Sequence, residues 1–313
     1  TIGYKQYVIS EYQYLQDQIF ASNPAVFPAD VFTLEALLWA FGILRSRTHA
    51  PFAGESIALV PGVDILVHSS DAAGVLEMTA GGLFAGKTKN ASLKVKTEIQ
   101  EGQQVQIDYC RSTDSQMVLD FGFVSSASVG GYMLTLSIPP EDPNYEDKVD
   151  AAEVAGFGAS STFVLQGSTR VADDMMTFLR LLQLQGQDTF LLEALFREQC
   201  WDLISLPVSE TNERLVCESM MVGCKQALEA YPTTLAEDER QLTSSKLPRR
   251  IRAALQVRLS EKRAIQSTLA FFETYYTSLG SLDYYQERRL KSLNLLDEMG
   301  MSTYDDPFNE SIA

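Results

Sequence analysis

Apolar residues recur at helical spacing near the start of the chain, at Tyr4, Tyr7, Val8, Tyr12, Leu15 and Ile19. They predict an amphipathic helix over residues 1 to 20. Asn23-Pro24 and Pro28 break it, because proline lacks the backbone donor that a helix interior uses. A second helix is predicted from Leu34 to Arg47, with Leu37, Leu38, Phe41 and Leu44 on one face. Arg45 and Arg47 near its end suit the negative pole of the helix dipole. From Ile57 to Ile138 the helical period gives way to β-rich runs with partial alternation. Strands are predicted at Ile57 to Val60, Ser92 to Lys96, Val105 to Tyr109 and Tyr132 to Ile138, separated by Gly-rich turns such as Gly81-Gly82.

Pro139-Pro140-Glu141-Asp142-Pro143 breaks the pattern and marks a domain boundary. Beyond it the spacing is almost wholly helical. Met175 to Gln185, Asp188 to Trp201 and Ser209 to Tyr231 are predicted amphipathic helices. Ser209 caps the third, with Glu210 and Glu213 in its first turn. Thr234-Leu235-Ala236-Glu237 spells a capping box that opens a short helix. Pro248 starts a long helix at the position proline favours, Gly280 stops it, and a last helix runs from Tyr284 to Leu293. The prediction is an α+β fold in two domains, residues 1–138 and 139–313.

The 313 residues carry a net charge of -16, and such a surface repels phosphate backbones, so nucleic-acid partners are not expected. A basic cluster at Lys246, Arg249, Arg250, Arg252, Arg258, Lys262 and Arg263 reads as the solvated face of the long helix. The four cysteines show no zinc-like spacing, and Cys217 and Cys224 share a helix face, which suggests buried thiols in a reducing compartment. Only two histidines exist, so no His-rich metal centre is expected. No apolar run reaches the roughly 18 to 20 residues of a membrane span. Gly81 to Thr88 fits the spelling of a phosphate loop. A strand-like segment follows it instead of a helix, so it reads as a turn. Cys110 beside Arg111 is a poor candidate for an activated thiol, and the Glu141-Asp142 and Asp305-Asp306 pairs sit beside prolines in predicted loops.

Three segments carry candidate chemistry. Ala58-Leu59-Val60-Pro61-Gly62-Val63-Asp64-Ile65-Leu66-Val67-His68-Ser69 comes first, then Val105-Gln106-Ile107-Asp108-Tyr109, then Leu119-Asp120-Phe121-Gly122-Phe123. Their order resembles the second half of a SET domain, and within SET proteins the plant Rubisco large-subunit methyltransferase family. Leu38-Trp39-Ala40-Phe41-Gly42-Ile43-Leu44-Arg45-Ser46-Arg47 is similar to the same family, and the helical tail resembles its substrate-binding domain. The resemblance implies a partial SET β-fold followed by that helical domain. It also implies that Thr1 falls after the Gly-rich half of SET that cradles the methyl donor.

In the family the first segment ends in Asn-His-Ser and the last reads Asp-Tyr-Gly-Phe. The resemblance therefore assigns Tyr109 to the strand-end tyrosine beside the transferring methyl group. It assigns His68 and Val67 to the pair that holds S-adenosylmethionine, and Phe121 and Phe123 to the lysine pocket. Each also has a plainer account: a strand-end tyrosine with a satisfied hydroxyl, a structural histidine, core aromatics. Val67 replaces a carboxamide that both donates and accepts, and Phe121 lacks a hydroxyl. These two departures imply a fold kept after its reaction was lost. The expectation is a non-catalytic subunit, without a cofactor, in a large plastid complex. The chloroplast NADH dehydrogenase-like complex of cyclic electron flow around photosystem I is the named candidate. It would sit in the stroma or on the stromal face of the thylakoid. Its helical domain would hold a permanent partner through apolar residues such as Met220, Met221, Phe271, Phe272, Tyr275, Tyr276, Tyr284 and Tyr285. The alternative is an S-adenosylmethionine-dependent protein-lysine methyltransferase acting on a stromal protein.

Overall fold

The computed structural model describes residues 2–52, 56–80, 89–109, 113–125, 130–167, 170–244 and 246–296. Cys110, Arg111, the Gly81 to Thr88 spelling and the Asp305-Asp306 pair lie outside them. The chain divides into two units, Thr1–Val129 with Lys246–Val257, and Gly130–Ser245 with Arg258–Ala313. Both helices and sheets are present, and the fold is α+β.

In the first unit α1 (Ile2–Leu15) runs into a π-helical turn, Gln16–Phe20. Phe20 packs against Phe27 and Phe32, with centroids 5.0 and 5.4 Å apart. Helix α2 (Leu34–Arg47) has the predicted bounds because Thr33 caps it, its hydroxyl accepting from the Ala36 N–H. Strands β1 (Thr48–Phe52) and β2 (Ser56–Leu59) pair antiparallel. Strands β3 (Val67–His68), β4 (Gly74–Ala80), β5 (Lys89–Val95) and β6 (Gln106–Ile107) form a sheet of order β3-β6-β4-β5. Strand β6 runs parallel to both β3 and β4, whereas β4 and β5 are antiparallel. Helix α3 (Asp114–Phe121) follows.

Strands β1, β3 and β4 were not predicted. Two residues are too few to show alternation, and Gly74, Glu77 and Ala80 weaken the β signal of β4. Gly74 has a specific task. A Cβ there would lie 2.6 Å from the Gln106 carbonyl oxygen, which is fixed in the sheet. Gly74→Ala is therefore expected to destabilise the protein by about 1–3 kcal/mol by overpacking. Calorimetry would check this, and an unchanged Tm would show that β6 can shift without cost.

The second unit carries strands β7 (Tyr132–Ser137) and β8 (Ser160–Leu165), paired antiparallel, with α4 (Tyr145–Val154) between them. Helices α5 (Asp173–Leu182), α6 (Cys200–Ile204), α7 (Glu210–Glu229) and α8 (Leu235–Leu242) follow. The unit also takes α9 (Arg249–Thr277) from Arg258 onward, and α10 (Tyr285–Ser292). The core gathers Phe163, Phe178, Leu181, Ile204, Val216 and Phe272. The expected caps form: Ser209 accepts from the Asn212 N–H, and Thr234 and Glu237 close the capping box. The three described cysteines, Cys200, Cys217 and Cys224, are free and buried.

Three expectations need correction here. β8 is a strand in the stretch expected to be almost wholly helical. The helix expected from Asp188 to Trp201 is instead two 3-10 turns, Gly186–Leu192 and Arg197–Gln199, before α6. Gly186 enters with a φ of 58° and Glu193 leaves in extended conformation, so the apolar residues reach the core without a continuous helix. The long helix does not have a uniformly solvated basic face. Lys262 is buried and bonded to Asp238 at 2.7 Å. Of the residues proposed for a partner surface, Met220 and Phe272 belong to the unit's own core, and Met221, Phe271, Tyr275 and Tyr285 pack against it.

Candidate functional site

The site candidates of the first unit meet where β3 and β6 run side by side. The register pairs Val67 with Gln106 and His68 with Ile107, so Tyr109 leaves the strand beside the His68 ring. The Tyr109 N–H donates to His68 Nδ1 at 3.2 Å, and the Tyr109 hydroxyl donates to the Leu66 carbonyl at 2.6 Å. Ring centroids of His68 and Tyr109 are 5.1 Å apart, and those of Tyr109 and Phe121 are 4.4 Å apart. Phe123 lies 6.1 Å from His68 and 6.3 Å from Phe121. Tyr109, His68, Phe121 and Phe123, four of the five predicted side chains, thus fall in one cluster.

Local sequence explains the arrangement. Thr113 caps α3 by accepting from the Gln116 N–H, and Phe121 is the last helical residue. Gly122 then takes a φ of 77°, left-handed backbone that favours glycine, and its N–H closes on the Val118 carbonyl. This turn sets Phe121 and Phe123 on the cluster from a single short segment. An ion pair between Arg45 and Asp120 ties α2 to α3, and the Arg45 guanidinium lies 4.0 Å over the Tyr4 ring. Arg47 donates to the Asp64 carbonyl in the segment before β3.

Burial pushes the Tyr109 phenol above its ordinary pKa, and nearby Arg47 offsets this only in part. The phenol therefore keeps its proton at neutral pH. His68 has a side-chain exposure of 4%, and its Nε2 is buried without a partner. Because Nδ1 accepts from Tyr109, the ring proton belongs on Nε2, an unsatisfied donor available to a ligand acceptor. Val67, beside it, is 43% exposed and has no polar group in its side chain. The Leu66 carbonyl escaped the sequence reading because a backbone acceptor has no side-chain signature. Arg47 was read only as a helix-end charge. Among the described residues no group of His, Cys, Asp and Glu could hold a metal, and no helix is long and apolar enough to cross a membrane.

Residues 139–265 match the family described as Rubisco LSMT substrate-binding. The chain is 38% identical over 307 residues to the chloroplastic [fructose-bisphosphate aldolase]-lysine N-methyltransferase of Arabidopsis thaliana, covering 96% of this chain and 63% of that protein. It is 36% identical over 314 residues to the chloroplastic ribulose-1,5 bisphosphate carboxylase/oxygenase large subunit N-methyltransferase of Nicotiana tabacum, covering 98% and 63%. The solved SET domain of LSMT bound to lysine and AdoHcy superposes with a TM-score of 0.77 at 36% identity, covering 96% of this chain and 68% of that one. The chain thus spans less than two thirds of the length of these curated relatives. These matches overturn the expectation of a non-catalytic complex subunit. The relatives are named methyltransferases, and a solved one holds lysine and AdoHcy. The expectation of no cofactor and the reading of the site as vestigial lose their support with it.

Proposed function

The chain belongs to the Rubisco large-subunit methyltransferase family of SET-domain proteins, and from that premise we propose that it is a chloroplast protein-lysine N-methyltransferase that uses S-adenosylmethionine. The supporting observation is the cluster of Tyr109, His68, Phe121 and Phe123, with the phenol proton committed to the Leu66 carbonyl. The chloroplastic relatives support the compartment, and their protein substrates support a stromal protein as acceptor. Residues 139–313 would serve as the substrate-binding domain, in line with the family match over 139–265.

S-adenosylmethionine would supply an electrophilic methyl group on sulfonium; a neutral lysine amine attacks that carbon in line, the C–S bond breaks and the thioether leaves. Tyr109 orients the amine. Its hydroxyl donates to the Leu66 carbonyl, so toward an amine N–H it acts as an acceptor. With its pKa raised, the phenol acts as an acceptor and not as a base. Phe121 and Phe123 exclude water, and their faces favour an approaching ammonium group. The residues partly fit the methyl donor. His68 Nε2 has hydrogen-bonding capacity to spare, whereas Val67 adds none. Losing one polar contact costs about 1–3 kcal/mol, which weakens donor binding and does not abolish it.

The test is methyl transfer from tritiated S-adenosylmethionine to stromal proteins, using the protein purified from its native source. Labelled methyl-lysine is the expected product, and its absence with donor bound would refute the reading. Val67→Asn is expected to tighten donor binding about tenfold by restoring a hydrogen bond. Isothermal titration checks this, and an unchanged dissociation constant would show that position 67 does not face the donor.

A further inference from the structure

Resting on the reading of Tyr109 as the residue that orients the amine, we propose that the His68 side chain is its positioning residue, acting through Nδ1. The ladder between β3 and β6 ends at the His68 and Ile107 pair, with Ser69 N–H donating to the Ile107 carbonyl at 3.1 Å. Past Ile107 the Tyr109 N–H donates to the His68 imidazole at 3.2 Å. The phenol end of the same residue is held by Leu66 at 2.6 Å. These two anchors of Tyr109 come from one three-residue segment, Leu66 to His68, and both constrain the phenol oxygen.

The geometry specifies which ring nitrogen does this. Nδ1 accepts, so the proton resides on Nε2, and Asp108 Oδ1 lies 3.7 Å from Nδ1. Were Nδ1 protonated, it would donate to that carboxylate and release the Tyr109 amide. Removing the acceptor releases the Tyr109 amide from His68 while the ring still rests on Phe121, 4.4 Å away. The phenol oxygen then samples positions off the reaction axis, and the rate at saturating donor falls.

The experiment compares three variants of the protein at its native length. An asparagine oxygen can take the place of Nδ1, a glutamine reaches only the place of Nε2, and phenylalanine keeps the ring without an acceptor. His68→Phe is expected to lower kcat at saturating donor about tenfold, whatever its effect on donor affinity. His68→Gln should match it, and His68→Asn should keep most of the rate. Tyr109 amide hydrogen exchange should quicken in the Phe and Gln variants and not in the Asn variant. His49 and His68 are the chain's two histidines, so nitrogen NMR of the unaltered protein can read the tautomer even if a variant fails to fold. A protonated Nδ1, an unchanged kcat in His68→Phe, or an Asn variant as slow as the Phe variant would overturn the proposal. If the unaltered protein transfers no methyl group but the exchange pattern holds, the proposed function falls and the anchor stands. If transfer occurs without that exchange pattern, the anchor falls alone.

Discussion

Replacing Tyr109 with phenylalanine will slow methyl transfer about a hundredfold, since a misplaced reacting group loses the benefit of orientation. The change deletes one oxygen and keeps the ring that packs 4.4 Å from Phe121. It leaves the Leu66 carbonyl without the hydroxyl that donates to it at 2.6 Å. That loss costs about 1 kcal/mol of stability, the usual net worth of one hydrogen bond in a half-buried place. The prediction is therefore a large kinetic effect with a small shift in Tm. Single-turnover kinetics at saturating donor, alongside a thermal melt, separates the two. If the rate falls less than about threefold, no transition-state interaction of consequence passes through this hydroxyl. Tyr109 is then a packing residue, and the catalytic reading loses its central group.

The cluster around Tyr109 was legible because its members lie in three motif segments whose order the family resemblance fixes. Their contacts were not legible. The bond from the Tyr109 amide to His68 depends on a two-residue strand, and a two-residue strand leaves no period in the sequence. Helices announced by their ends fared better. Ser209 and the Thr234 to Glu237 box each accept the expected first-turn N–H. The segment from Asp188 to Trp201 had helical spacing but no such stop and start signals, and packing resolved it into 3-10 turns around Leu191 and Leu192. Val67 and Phe121 do not by themselves imply the end of the reaction, and the reason is energetic. A lost hydrogen bond is worth about 1–3 kcal/mol, which lowers affinity or rate without removing either.

In the second unit, Asp238→Ala is expected to cost about 3–5 kcal/mol, the penalty of stranding a buried partner charge. Asp238 has no exposed side-chain surface, and it joins Lys262 at 2.7 Å, Arg258, and the Thr233 hydroxyl at 2.7 Å. The Lys262 side chain is only 2% exposed, so without the carboxylate its ammonium keeps just the Thr233 oxygens and the face of Tyr231 at 5.0 Å. Replacing both partners, as in Asp238→Leu with Lys262→Met, should cost less than the single change, because no charge is left unpaired. Chemical denaturation of the two variants tests this ordering, and a single-variant loss under about 1 kcal/mol would show that water reaches Lys262. The same carboxylate sets an acid limit. Burial acts to raise its pKa, but hydrogen bonds from Lys262 and Thr233 and the charges of Arg258 and Lys262 outweigh burial and hold it below the usual aspartate value. A carboxyl depressed in the folded state stabilises fully above its unfolded pKa, near about 3.9. That stabilisation fades as pH falls through the lower folded value. Stability measured from pH 6 downward should therefore drop below about pH 4 in the unaltered protein. The drop should be shallower in Asp238→Ala, where the titrating group is gone. Equal slopes for the two would mean that other carboxylates, and not Asp238, carry the acid sensitivity.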